Sequence, residues 1–219
     1  PSGAGKSVLL KLIMGILSPV SGEISVCGMS VTDAKSESDK NAIRSKLGVL
    51  FQSAALLDSL SVYENVAFTL SEGIGATGRL RKGEIHDRVV SLLNALSLEQ
   101  VAHRFPQELS IGVRKRVGMA RALANEPEVI LFDEPNTGLD PFVGQEVYDL
   151  INECQEKWGF TGVVISHELP EVFQVSDRVE MLLNGKIIME GSPEEFLKTD
   201  RPEVVQFLNG YVDGPIRIQ

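Results

Sequence analysis

The 219-residue chain has no surplus of positive charge, no long apolar run and only two cysteines. Acidic residues outnumber basic ones, 30 to 21, for a formal charge of −9. Nucleic acid and anionic membrane surfaces both reward a basic face, so neither is expected as a direct partner, and any membrane contact should run through another protein. No apolar stretch approaches the roughly 20 residues that span a bilayer, and no signal-peptide pattern opens the chain, which reads as cytosolic. Cys27 and Cys154 lie far apart without metal-ligand spacing, so packing is expected of them rather than a disulfide or a zinc site. Internal repeats and low-complexity tracts are also missing. So is an initiator methionine, and a longer parent chain is expected.

What is present suits one sizeable domain: 43% of residues are hydrophobic, enough for a real core with room for an inserted lobe. Residues Pro1 to Ser7 read Pro-Ser-Gly-Ala-Gly-Lys-Ser, the phosphate-binding pattern G-x-x-x-x-G-K-[ST] from its second position onward. In such a loop Gly3 and Gly5 let successive N–H groups turn toward a polyphosphate, and the following helix adds its positive end. Lys6 would reach the terminal phosphates and Ser7 would ligate Mg²⁺. Taken alone, the same residues also fit a glycine-rich cap on a helix.

The spacing predicts a helix over Lys6 to Leu17, a short antiparallel pair over Gly22 to Val31, and a surface helix over the charged run Asp33 to Lys46. Leu47 to Phe51, Val129 to Phe132 and Gly162 to Ile165 are apolar runs too short for helices and nearly without alternation, the mark of strands buried on both faces of a parallel sheet. Each ends in polar groups: Gln52; Asp133 and Glu134; Ser166 and His167. In an open α/β sheet those ends lie side by side where ligands bind, so Gln52, Asp133, Glu134 and His167 should converge on the phosphates. Ser61 to Asn125 is helical in pattern, for example Ile85 to Leu98, and reads as an inserted lobe. Beyond His167 the pattern gives a helix at Pro170 to Val175, a hairpin around Asn184-Gly185 and a helix at Pro193 to Leu197.

Two adjacent carboxylates at a strand end suit nucleotide hydrolysis: Asp133 is assigned to the metal and Glu134 to polarising the attacking water. Ser110 opens a basic helix through Ala124, and either caps it or offers its hydroxyl and N–H groups to an anion. Gly73, Gly75 and Gly78 spell G-x-G-x-x-G without a strand-turn-helix context, and read as a lobe loop rather than a dinucleotide site.

Phosphate loop, Gln52, Leu109-Ser110-Ile111-Gly112, Phe132-Asp133-Glu134-Pro135, Gly138-Leu139-Asp140 and Ser166-His167 stand in the order found in ATP-binding cassette (ABC) ATPases, and the chain resembles that family over essentially its whole length. The resemblance implies an α/β P-loop NTPase fold with a mainly parallel core sheet, a partial antiparallel β subdomain and an inserted helical lobe, the N-terminal strands of the family being missing. It implies one cassette over 1–219, a helical subdomain at about 61–125 and a C-terminal extension at about 193–219. ATP and Mg²⁺ are the implied cofactors. Ser2, Gly3, Ala4, Gly5, Lys6 and Ser7 would hold the phosphates, with Ser7, Gln52 and Asp133 at the metal. Glu134, His167 and Gln52 would be catalytic. Ser110 and Gly112 would touch the γ-phosphate held by a second copy, and Asp140 would link the two sites of that homodimer. Ile111 and Val113 depart from the family's Leu-Ser-Gly-Gly-Gln signature.

Among ABC ATPases the chain is most similar to the ATPase subunit of Mla-type lipid transporters, on Leu50 to Leu56 with Val62 to Val66 and on Gln206 to Gly210 with Asp213-Gly214-Pro215. That likeness implies a membrane permease, an MCE-domain lipid-binding protein, phospholipid as cargo, and a position on the cytoplasmic face of the inner membrane through the permease. Leu56, Leu57, Leu60, Val62 and Tyr63 would offer apolar surface to the permease or belong to the lobe's core. An importer ATPase for amino acids or another small solute is the alternative. DNA-repair ATPases with the same head carry a long coiled coil or zinc modules between loop and signature, and this chain has neither.

Overall fold

The computed structural model describes residues 5–71 and 80–216. The chain forms two compact units, one of residues 7–165, the other of residues 166–216 together with Gly5 and Lys6.

Helix α1 (Lys6–Ile13) stops four residues earlier than its apolar pattern suggests. Gly15 takes a left-handed φ of 63°, and the Gly15 and Ile16 N–H groups bond back to the Leu12 and Lys11 carbonyls at 3.0 and 2.9 Å. This paired closure satisfies the last carbonyls and turns the chain away. β1 (Ser25–Val26) and β2 (Met29–Ser30) form a two-residue hairpin whose turn residues, Cys27 and Gly28, both have positive φ. α2 (Glu37–Arg44) is shorter than its charged run because Ser36 and Asp39 close a reciprocal capping box at its start.

β3 (Leu47–Leu50), β4 (Val129–Asp133) and β5 (Thr161–Ile165) make the parallel sheet in the order β3-β4-β5, with Leu50 opposite Phe132 and Asp133 opposite Ile165. Ile130, Leu131 and Phe132 of the central strand are wholly buried, which is why the run shows no alternation. Leu131 and Ile165 pack with Leu10 of α1 and with Met14, the residue just after it.

Between β3 and β4 come α3 (Val62–Ser71), α4 (Lys82–Ala95) and α5 (Ile111–Leu123), with 3₁₀ turns at Glu99–Val101 and Pro106–Glu108. α3 packs on α4 and α5, and no strand interrupts these elements among the described residues. Val62 is wholly buried and belongs to this core, whereas Leu57 is exposed. Buried Asn65 organises the loop before α3: its Oδ1 accepts from the Leu57 N–H at 2.8 Å, and its Nδ2 donates to the Leu57, Leu60 and Ser61 carbonyls. Gly73, Gly75 and Gly78 lie outside the described residues. α6 (Pro141–Trp158) runs from β4 to β5 and ends at Gly159 with φ 68°.

In the second unit the stretch after His167 is a 3₁₀ helix, Glu171–Val175. β6 (Val179–Leu183) and β7 (Lys186–Gly191) pair antiparallel around Asn184-Gly185, both with positive φ. α7 (Pro193–Lys198) and α8 (Pro202–Asn209) follow, and Met181, Phe196 and Val204 form the buried centre. Gln206 folds the tail back onto α8: its Nε2 donates to the Tyr211 and Ile216 carbonyls, and its Oε1 accepts from the Ile216 N–H at 2.7 Å.

Cys154 is buried on α6, where desolvation foremost pushes its thiol up to about 12, and Cys27 is exposed in the hairpin turn. Thiol titration of the folded protein at pH 8 should therefore detect Cys27 alone. Two reactive thiols before denaturation would contradict that packing.

Candidate active site

The carboxyl edge of the parallel sheet gathers the polar residues of the first unit. Gln52 lies two residues beyond β3, Asp133 ends β4, and Glu134 follows it. Glu134 has a left-handed φ of 49°, a costly conformation for a residue with a side chain, and its N–H donates to the Ile165 carbonyl at 2.8 Å. Thr137 holds it from the other side: the Thr137 hydroxyl donates to Glu134 Oε2 and the Thr137 N–H to the Glu134 carbonyl, each at 3.3 Å. The carboxylate thus leaves the strand in a direction fixed by its own backbone and by one hydroxyl. Ser7, in the first turn of α1, is exposed.

Two helices begin with residues assigned to contacts with a second copy. Ser110 caps α5, its Oγ accepting from the Val113 N–H at 3.4 Å, so the hydroxyl can still donate to an anion. Asp140 caps α6, with Oδ1 accepting from the Phe142 and Val143 N–H groups at 3.0 and 3.2 Å. A side chain at Gly112 would come to 3.7 Å from Glu146 Oε2 and 4.0 Å from Val143 Cγ1, so the start of α5 lies close against α6. Ile111, one of the two departures from the signature, is 45% exposed, and Phe142 on the first turn of α6 is 87% exposed. Neither is needed by the core of the unit.

The other unit carries Gly5, with φ 97°, Lys6, and exposed His167. Ser2, Gly3 and Ala4 lie outside the described residues. The structure therefore brings Gln52, Asp133 and Glu134 to one sheet edge, with Ser7, Ser110, Gly112 and Asp140 in the same unit.

Sequence reasoning missed two cations on α5. Lys115 is almost wholly buried, and its Nζ donates to the Gln52 carbonyl at 2.5 Å and to the Pro135 carbonyl. Arg121 donates to the Ala55 and Ala54 carbonyls at 2.6 and 2.7 Å, and its burial lowers the guanidinium pKa. Asn136 is also buried and donates to the Gly144 carbonyl at 2.9 Å, joining the loop after Glu134 to α6.

The family described as ABC transporter matches residues 1–137, more than half of the chain. The chain belongs to the ABC transporter family. It is 39% identical over 219 residues to the intermembrane phospholipid transport system ATP-binding protein MlaF of Haemophilus influenzae, covering 100% of this cassette and 81% of MlaF. Among solved structures it is similar to cbiO1 of Clostridium perfringens, part of the ABC transporter complex cbiONQ, with TM-score 0.81, 31% identity, and coverage of 97% of this cassette and 81% of cbiO1. It is also similar to the dimeric post-hydrolysis state of the ATP-binding cassette MJ0796 bound to ADP and Pi, with TM-score 0.75, 31% identity, and coverage of 88% and 82%. The cassette is thus an ATPase with the α/β P-loop fold that its motifs imply, and no helix among the described residues is long and apolar enough to cross a membrane.

Proposed function

We propose that this cassette is the ATP-hydrolysing subunit of a phospholipid transporter, working as a pair of identical copies beneath a membrane permease and with an MCE-domain protein as the lipid-binding partner. One observation carries the catalytic part: Gln52, Asp133 and Glu134 stand on one sheet edge, with Glu134 held in a strained, single direction. Likeness to MlaF along the whole chain supports phospholipid as the cargo. Attachment through the permease would hold the cassette at the cytoplasmic face of the membrane. Residues 61–125 form the helical lobe in this reading, and residues 193–219 the C-terminal extension.

Lys6 neutralises the terminal phosphates, and Glu134 accepts a proton from the attacking water while Gln52 orients it. His167 donates to the γ-phosphoryl group, and Ser110 with the N–H of Gly112 supplies donors to the nucleotide of the other copy. Ser7, Gln52 and Asp133 offer a hydroxyl, an amide oxygen and a carboxylate, an all-oxygen set that fits Mg²⁺, which is held by one or two protein groups beside phosphates and water. Bound there, Mg²⁺ would neutralise charge on the β- and γ-phosphoryl oxygens. Exposed Ile111 and Phe142 give the starts of α5 and α6 an apolar surface for the second copy.

The test is to purify the full-length protein with its permease, measure ATP turnover, and identify bound lipid by mass spectrometry. Co-purifying phospholipid and lipid-stimulated turnover are expected. Stimulation by a periplasmic solute-binding protein instead would favour the small-solute importer. Lys6→Ala should weaken ATP binding by at least about tenfold, the loss of one charge-assisted phosphate contact. Unchanged affinity by calorimetry would remove Lys6 from the phosphate site.

A further inference from the structure

Every third residue of one face of α5 meets the chain that leaves β3. Lys115 binds the Gln52 carbonyl; a side chain on Gly118 would come to 2.6 Å from Leu50 Cδ1 and 3.1 Å from Ala54 Cβ; Arg121 binds the Ala54 and Ala55 carbonyls. Ala54 and Ala55 are consecutive left-handed residues, with φ of 60° and 46°, and Ala54 is wholly buried. An alanine pays for that conformation with no hydrogen bond of its own side chain, so the loop keeps its shape because α5 holds its carbonyls. Lys115 makes a second connection. Its ammonium also donates to the carbonyl of Pro135, the residue after Glu134. A buried ammonium is tolerated only where such acceptors surround it, and the bonds it makes are charge-assisted.

We propose that Lys115 is a positioning residue for hydrolysis: one ammonium fixes the spacing between the segments that carry Gln52 and Glu134, and ties that spacing to the helix that begins at Ser110. The proposal rests on the reading of Gln52 and Glu134 as residues of an ATPase site. The Lys115 ammonium acts on these two segments through the backbone carbonyls of Gln52 and Pro135, so its contribution to their spacing is geometric. Movement of α5, which starts at Ser110, would carry the Gln52 and Pro135 carbonyls with it. Gln52 and Glu134 would then be brought to their working spacing together rather than one at a time.

The test uses the full-length protein and its Lys115→Met, Lys115→Gln and Lys115→Arg variants, beside Glu134→Gln. Lys115→Met removes both bonds and should lower kcat by roughly 10- to 100-fold, the scale of a misplacement of about 1 Å, with calorimetric ATP affinity unchanged. Lys115→Arg keeps a cation with several donors and should recover most of the turnover. Lys115→Gln, with two N–H donors and no charge, should fall between. Wild-type kcat in Lys115→Met would overturn the proposal. So would a loss of turnover that merely follows the loss of folded protein in thermal unfolding, or failure of Met and Gln variants alike to fold, because either assigns Lys115 to the core alone. Full turnover in Glu134→Gln would sink the underlying functional reading and this proposal with it, whereas an inactive Glu134→Gln beside a fully active Lys115→Met would sink the proposal only.

Discussion

Glu134→Gln is expected to abolish most ATP turnover, by roughly 10²- to 10⁴-fold, the usual contribution of a positioned general base, while ATP still binds. The substitution is nearly isosteric. The Thr137 hydroxyl that donates to Glu134 Oε2 at 3.3 Å can donate equally to an amide oxygen, and the bond from the Glu134 N–H to the Ile165 carbonyl is untouched. The left-handed backbone at φ 49° is set by the loop and not by the charge. Geometry therefore stays, and only the ability to accept a proton is lost. The loss corresponds to about 2.7–5.5 kcal/mol of barrier, with no equivalent term in ATP binding. ATP-bound pairs should then accumulate, seen as a dimer by size-exclusion chromatography in the presence of ATP and absent in ADP. A variant that hydrolyses at the wild-type rate would remove Glu134 as the base. One that loses ATP binding in parallel would mean that the carboxylate serves the nucleotide rather than the water.

The parts of this molecule that could be read from its sequence are those governed by local rules. The three apolar runs became the three strands of the parallel sheet because Ile130, Leu131 and Phe132 are covered on both faces and need no alternation. The hairpin at Asn184-Gly185 followed from a turn that demands positive φ at both positions. Helix ends were legible only where a cap was: α7 begins at Ser192 and Pro193 as its sequence announces, but α1 runs short because Gly15 closes it before the apolar pattern ends. The buried polar groups were not legible. Lys115 sits between Arg114 and Arg116 and looks like one more charge on a solvated helix, yet its partners are 63 and 20 residues away in the chain. Asn65 and Gln206 appeared only as letters in family motifs, whereas each satisfies several backbone groups of a neighbouring loop. A signal for Lys115 did exist in its spacing from Gly118 and Arg121. It becomes meaningful only once the chain after β3 is known to lie on that face.

The closeness of α5 to β3 makes a second large effect predictable. A Cβ at Gly48, in the middle of β3, would fall 2.6 Å from the carbonyl oxygen of Ala122 on α5 and 3.2 Å from both its carbonyl carbon and Ile130 Cγ1. The nearest obstacle is backbone, and Ala122 lies between Arg121 and the buried Leu123, so α5 cannot yield there without disturbing what its neighbours hold. Gly48→Val places a branched side chain into that contact. Valine is the better strand former and loses less backbone entropy on folding, gains of about 1 kcal/mol, against an overpacking cost of 1–3 kcal/mol or more. Backbone contact puts this site at the upper end, so a net loss of roughly 2 kcal/mol is expected, or about 4–8 °C in Tm for a domain of this size. Separation of α5 from β3 would also strain the Lys115 and Arg121 bonds, so turnover should fall in the protein that remains folded. Thermal unfolding by circular dichroism, with reversibility checked, measures the first effect and phosphate release the second. An unchanged Tm would mean that α5 is free to shift away from β3, and with it the argument that this helix holds the Gln52 segment in place would fail.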